Sequence, residues 1–332
     1  MGVKLKELFE SNSIKLSELS GKAIAVDAFN WIFQFLTTIR LADGSYLTDS
    51  KGRVTTHLNG LFYRSISLLE NRIKPVFVFD GKAPKFKKET LLEREKTKEE
   101  AMEKMEHAAT PEEKAMYMRR LSRIDDYIID SSKELLLYLG IPYVQAPAEG
   151  EAQAARLNQQ GKVFAAASQD YDTILFGAKK VVRNLNITNK RKINGKGITT
   201  SVSPEIIDSI SNLSRLGITR EQLITLSLFV GTDYNKGVEG IGPKKALKLV
   251  KDKSRDELFS AYDFRSDYDI KEIYEYFVSP NTVEIDKDLN PNRIEKEKLI
   301  KFLCEEHSFS EERVKQYIGK VKTEDNSLSL YG

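Results

Sequence analysis

Short apolar runs closed by an acidic residue recur along this chain. Lys22–Ala28 (KAIAVDA) and the stretch PVFVFD ending at Asp80 are each too short for an ordinary helix. Their unbroken apolar character predicts strands buried on both faces. Ile141–Gln145 and Val163–Ala167 carry the same signal. Between these runs lie helical patterns: WIFQFLTTIR after the first, a helix from about residue 57 before the second, and another starting near Glu149. Strands alternating with helices predict an α/β fold, a mostly parallel twisted sheet flanked by helices on both faces. Residues 203–260 read as mainly helical, and no internal repeat appears.

A polar interval separates Lys82 from Leu139. Residues 87–106 (KKETLLEREKTKEEAMEKME) favour helix but carry only a thin apolar stripe, the mark of a solvent-bridging or conditionally folded helix. Thr110-Pro111-Glu112-Glu113 places a capping Thr before a proline at the first helical position, with Glu three residues after the cap. Two mostly polar helices inserted between core strands fit a solvated excursion and a substrate lid alike.

The 332 residues suffice for one large or two ordinary domains. A net charge of +3 hides segregation, because lysines crowd 82–104 and 236–253 while the strand-end acids lie elsewhere. A basic stripe beside an acidic pocket suits a polyanion that meets metal ions. The single cysteine, Cys304, excludes an internal disulfide and a Cys-rich zinc site, and its helical surroundings predict an inert thiol. The three histidines, His57, His107 and His307, share no ligand spacing, which argues against zinc hydrolases and Ser-His-Asp chemistry. No apolar run of about 18 residues and no secretory segment is present, so the expected location is the cytoplasm or nucleoid, or the nucleus of a eukaryote. The start MGVKLK lacks the Ser or Thr of a myristoylation signal, since Lys6 stands there.

Seven acids stand at ends of apolar runs or beside glycine: Asp27, Asp80, Glu149, Glu151, Asp170, Asp172 and Asp233. An acid closing a buried parallel strand sits at the carboxyl edge, where open α/β sheets bind ligands. Glu149 and Glu151 at a helix start can turn toward one mouth, and strand alternation would aim Asp170 and Asp172 the same way. At ~4 Å each like-charge pair costs roughly 4 kcal/mol at an effective dielectric of ~20. Hard cations relieve this, and oxygen-only ligands favour Mg²⁺ or Mn²⁺. Two such ions suit phosphodiester cleavage. Lys87 and Arg94, seven apart on a helix, share a face close behind Asp80, as catalytic cations or as plain solvated surface.

A second constellation is Gly237-Val238-Glu239-Gly240-Ile241-Gly242-Pro243-Lys244-Lys245-Ala246. Its glycines let backbone N–H groups approach a phosphate, Pro243 starts a helix whose amino end favours an anion, and Lys244, Lys245 and Lys248 add charge without base readout. This rhythm is a helix-hairpin-helix signature. Among the aromatics after Asp27, Trp31 and Phe35 read as core, whereas Phe33 can offer a face to a nucleobase.

Taken together, VDAFNWIFQFL, HLNGLFYRSI, KPVFVFDGKAP, QAPAEGEAQAA, ASQDYDTILFGA and GTDYNKGVEGIGPKKAL resemble the flap endonuclease family, in its order and at its spacings, over about residues 1 to 320. The resemblance is to the compact archaeal and eukaryotic type. It implies a nuclease core in an N-terminal region (1–98) and an internal region (139–256), with a helical arch or gateway at 82–135. It also implies a helix-hairpin-helix at 231–255, a C-terminal helical region at 257–319 and a tail at 320–332. It makes the seven acids ligands of two Mg²⁺, with Mn²⁺ as a substitute, and Lys87 and Arg94 contacts of the scissile phosphate. DNA contacts fall to Phe33, Arg40 and the hairpin Gly237, Gly240, Gly242, Lys244, Lys245 and Lys248, with K⁺ at the hairpin. Removal of Met1 would leave Gly2 near the active site. The implied activity is flap endonuclease and 5′→3′ exonuclease action on flaps, nicks and gaps by a monomer, with no membrane. The tail departs from the family's clamp-binding pattern: Asp325, Leu328 and Tyr331 keep the spacing, but Gln is missing and Gly332 replaces the last aromatic. Two other readings are a non-catalytic DNA-binding scaffold tethered to a sliding clamp, and an aspartyl phosphatase using Asp170.

Overall fold

A computed structural model describes residues 3–185, 191–192, 199–200 and 202–321. Its strands are β1 (Asn12–Ser13), β2 (Ala23–Asp27), β3 (Lys74–Phe79), β4 (Tyr143–Gln145), β5 (Ala165–Ala167), β6 (Lys180–Arg183), β7 (Arg191–Lys192), β8 (Thr199–Thr200) and β9 (Glu205–Asp208). Seven of them form one sheet in the order β1-β9-β6-β5-β2-β3-β4, and β7 with β8 makes a separate ribbon. The five strands β6-β5-β2-β3-β4 run parallel. At the other edge β9 pairs antiparallel with β6 and with β1.

Alternation along the parallel strands explains both covering layers. Ile24, Val26, Phe77, Phe79, Ala165 and Val182 enter one core, while Ala25, Val76, Val78, Val144, Ala166 and Val181 enter the other. Both faces are thus dry, as a parallel sheet requires. Helices α1 (Ala28–Thr38) and α2 (Thr56–Glu70) cover the first face. Next come α3 (Lys88–Glu106), α4 (Pro111–Arg120) and α5 (Asp126–Tyr138). The other face takes α6 (Gly150–Gln159), α7 (Asp172–Leu175), α8 (Ser209–Leu216), α9 (Arg220–Val230), α10 (Pro243–Asp252), α11 (Arg255–Ala261) and α12 (Ile270–Val278). Finally α13 (Lys296–Ile300) and α14 (Glu311–Ile318) return to the first face.

The polar interval divides into two kinds of helix. Only Ala101 is buried on α3 and only Ala115 on α4. The two pack on each other, and α4 also meets α1. Thr110 caps α4 by accepting from the Glu113 N–H at 3.1 Å, with Pro111 in the first turn, as the local sequence predicts. Helix α5 begins inside the expected 82–135 excursion, runs past its end to Tyr138, and buries Ile128, Leu135 and Leu136 in the core. Its apolar stripe makes it part of the body.

The stretch 203–260 is mainly helical as expected, after an opening strand Glu205–Asp208 held by β6 and β1. One expectation needs correction. Lys87 does not lie on α3: it ends the 3₁₀ turn Lys85–Lys87 just before it. Among the described residues no helix is long and apolar enough to cross a membrane. Cys304, half-buried, sits in a π-turn (Lys301–Glu306) rather than a regular helix.

Candidate active site

Parallel strands put their carboxyl ends on one edge, and the acids follow from that. Asp27 is the last residue of β2, Asp80 follows β3, Glu149 caps α6 beyond β4, and Asp170 and Asp172 follow β5. The chain leaves β2 toward β3 on one side and later returns to β5 on the other, so Asp27 and the Asp170–Asp172 turn flank a switch point. Asp233 arrives from the loop after α9. Asp27, Glu149 and Asp172 are buried, and the other four acids are half-buried.

Five of the carboxylates accept hydrogen bonds that orient them, some from donors far along the chain. Asp27 accepts from the Asn30 N–H at 2.9 Å as the cap of α1. Asp80 accepts from the Gly150 N–H at 2.6 Å. Glu149 accepts from Lys87 and from the Tyr234 hydroxyl, with the Tyr276 hydroxyl 3.3 Å away. Glu151 accepts from Ser168 and, at 3.3 Å, from Thr173. Asp172 accepts from the Val3 N–H at 3.0 Å, which brings the amino-terminal segment to the site. Met1 and Gly2 lie outside the described residues. Strand alternation is not what orients Asp170 and Asp172: β5 ends at Ala167 and Asp172 already opens α7.

The acids share one electrostatic field. Burial, then the Asp80 charge, pushes Asp27 up to about 7. Burial, joined by Asp233, Asp170 and Glu149, pushes Asp172 up to about 7. Burial also raises Asp80, with Glu149 adding to it, and raises Glu151 well above the carboxylate range, with Asp172, Asp27 and Asp170 adding to it. Burial and like charge thus both favour the protonated forms of these four carboxyls, and a cation opposes that. Lys87 and Arg94 do part of this. Lys87 pairs with Glu149 and lies 3.8 Å from Asp233, and Arg94 is 2.8 Å from Asp233. Burial opposes the Lys87 charge, but Glu149, Asp233 and Asp80 outweigh it and raise its pKa. Both residues thus face the carboxylates rather than bulk solvent. Among the described residues no three acids close into a ready-made ligand shell. The donor set is all oxygen, anionic and under-neutralised, which fits hard divalent ions.

Residues outside the sequence reading complete the site. A Cβ at Gly150 would lie 2.7 Å from Asp80 Oδ1, and one at Gly81 would lie 2.3 Å from the Ala146 carbonyl, so both glycines are needed for close approach. Gly150, between two acids in an alanine-rich helix start, was a visible signal. Tyr234 and Tyr276 left none.

The remaining expected residues sit on the rim. Phe33 is 44% exposed on α1, whereas Trp31 and Phe35 are buried in the core. Arg40 is tied internally: it donates to the carbonyls of Leu36 and Gly44 at 2.5 and 2.9 Å and to Ser122 at 2.7 Å, over the Tyr46 ring. In the hairpin between α9 and α10, Gly237 and Gly240 take positive φ and Gly242 caps α10. Lys244, Lys245 and Lys248 are exposed. Asp325, Leu328 and Tyr331 lie outside the described residues.

Two family models match the chain, the XPG N-terminal domain over residues 1–101 and the XPG I-region over 140–233. The chain is 50% identical over 326 residues to Flap endonuclease 1 of Pyrococcus abyssi, covering 97% of this chain and 94% of that protein. Its structure is similar to that of flap endonuclease-1 from Methanococcus jannaschii, with a TM-score of 0.76 at 37% identity over 96% of this chain and 98% of the other. The catalytic core of Rad2 in complex with DNA substrate shares the fold, with a TM-score of 0.68 at 24% identity over 94% and 96% of the two chains.

Proposed function

The chain belongs to the flap endonuclease family of metal-dependent, structure-specific nucleases, and we propose that its seven edge carboxylates hold two Mg²⁺ ions for phosphodiester hydrolysis. Membership in a nuclease family sets aside the aspartyl phosphatase and the non-catalytic scaffold. All seven would share the two ions, some through water. Once bound, the ions would activate the attacking water and balance charge on the phosphate. Mn²⁺ would substitute, sharing the preference for oxygen ligands.

The chain's own residues do the rest. Lys87 and Arg94, now paired with Glu149 and Asp233, would turn to the scissile phosphate. Phe33 would stack on a base beside the cut. The segment 82–135 would admit a 5′ single strand past α3 and α4, and Gly237, Gly240 and Gly242 with Lys244, Lys245 and Lys248 would grip the duplex backbone, with K⁺ held at the hairpin. Arg40 would reach DNA only by leaving Ser122 or Gly44. Substrates are then 5′ flaps, nicks and gaps, chosen by shape and bending rather than base sequence. The product carries a 5′-phosphate. The proposal extends to a monomer working where the DNA lies, and to a sliding clamp held through Leu328 and Tyr331.

The observation that carries this is that six carboxylates gather at one sheet edge, with Asp233 beside them on a loop and Lys87 and Arg94 paired to Glu149 and Asp233. Asp80→Asn and Asp170→Asn should abolish cleavage of a labelled 5′-flap in Mg²⁺ while retaining most DNA affinity. Normal cutting by both variants would overturn the assignment.

A further inference from the structure

Glu149 is gripped at both oxygens, and only one grip comes from a residue already given a role. Lys87 holds Oε1. The Tyr234 hydroxyl donates to Oε2, and the Tyr276 hydroxyl is 3.3 Å from the same atom. Tyr234 is 5% exposed and follows Asp233 directly. Tyr276 comes from α12, in a region to which the motifs assign nothing.

The rings form one edge-to-face cluster. Tyr234 meets Tyr276 at 5.6 Å and 86°, and Tyr276 meets Phe176 at 6.0 Å and 87°. Phe86 packs on Tyr276 at 5.7 Å and on Tyr268 at 5.2 Å. Phe86 immediately precedes Lys87, so the same cluster seats the lysine and aims the phenols. Tilted aromatic pairs of this kind fix ring orientation as well as burying area.

We infer that Tyr234, backed by Tyr276, is a positioning residue: its hydroxyl fixes the Glu149 carboxylate so that its other oxygen faces the cleavage site. The phenol touches neither substrate nor ion in this role. It acts through Glu149, as outer-shell donors do on carboxylate ligands.

This inference rests on the two-ion reading above, and its test separates the two. Tyr234→Phe keeps the ring and removes only the hydroxyl. Mn²⁺ binding to the DNA-free protein, followed by electron paramagnetic resonance, should weaken about tenfold, and kcat on a 5′-flap should fall about tenfold with KM near the parent value. Tyr276→Phe alone should do less, since Tyr234 still holds the oxygen. The double variant should lose more than the product of the single losses, because each phenol can serve the same atom. Parental Mn²⁺ affinity and kcat in Tyr234→Phe, with Asp80→Asn inactive, would overturn this inference alone. So would a loss matched by lower thermal stability and raised KM, the mark of a packing role. Full activity of Asp80→Asn would instead overturn the reading beneath it.

Discussion

The carboxyl edge of the sheet and the rim formed by α3, α4 and the glycine hairpin solve opposite problems. At the edge, Asp27, Asp80, Glu149, Glu151 and Asp172 stand at or just beyond strand ends or helix starts, and each accepts from a donor within the body. On the rim, α3 and α4 bury one alanine each, and polar contacts supply the docking: Thr90 to the Asp233 carbonyl at 2.5 Å, Arg94 to the Asp233 carboxylate, Lys236 to Glu89 and Glu93. Exposed ion pairs of this type add little stability and weaken in salt. The edge therefore has its geometry built in by folding. The rim is cheap to rearrange, which suits the proposed passage of a DNA strand. Precision and access are segregated, and they meet at Asp233, where one side chain belongs to the edge and its contacts to the rim.

The sharpest way to break this contrast is a single methyl at the edge. Gly150→Ala would place a Cβ 2.7 Å from Asp80 Oδ1 and 3.3 Å from the Val78 carbonyl, while Asp80 is held by the Gly150 N–H. The carboxylate must then swing away. A displacement near 1 Å in a reacting constellation costs roughly 10²-fold, and single-turnover cleavage should fall by about that factor. A rate within twofold of the parent would mean that the edge is as forgiving as the rim.

The hairpin offers an internal control of smaller size. At Gly237, φ is +76° and a Cβ would stand 2.6 Å from the Gly231 nitrogen and the Phe229 carbonyl. Backbone cannot give way as a side chain end can. Gly237→Ala should lose about 2 kcal/mol in a urea titration, from strain and clash together. Gly240 has a similar φ of +71° but open space around it, so Gly240→Ala should lose only about 1 kcal/mol. Equal losses would show that conformation alone, not the close approach of two backbone segments, demands glycine at 237.

The sequence showed the edge better than the rim, for physical reasons. An acid ending a run such as Val76–Phe79 has few options, because the run must be buried and parallel strands must share an edge. That logic placed Asp27, Asp80, Glu149 and the Asp170–Asp172 turn. It missed β1, β6 and β9: Asn12 and Ser13 carry no apolar pattern, and the pairs Val181–Val182 and Ile206–Ile207 are too short to mark a strand without their partners. It also missed Tyr234 and Tyr276, since a donor to Glu149 from more than eighty residues away leaves no local trace. Arg40, a DNA contact by the family resemblance, is held by Gly44, Ser122 and the Tyr46 ring, partners its local sequence does not announce. The division of α5 from the polar helices was in fact legible, because Ile128, Leu135 and Leu136 form a stripe that α3 lacks.

The gentlest probe is charge on the hairpin. Lys244, Lys245 and Lys248 are exposed, so replacing each with Ala should leave the urea midpoint where it was. If they meet phosphates, each loss should lower the slope of log K against log salt by roughly 0.9 on duplex DNA. They are not equivalent, however. Lys245 Nζ already donates to the Gly240 carbonyl at 3.0 Å, bracing the turn. Lys244 lies 3.7 Å from Glu7, an exposed pairing that DNA can displace. Lys245→Ala should therefore weaken binding while changing the salt slope least, because it loosens the loop rather than removing a free phosphate contact. Identical slope changes for all three would assign Lys245 to the phosphate and leave the turn to its glycines.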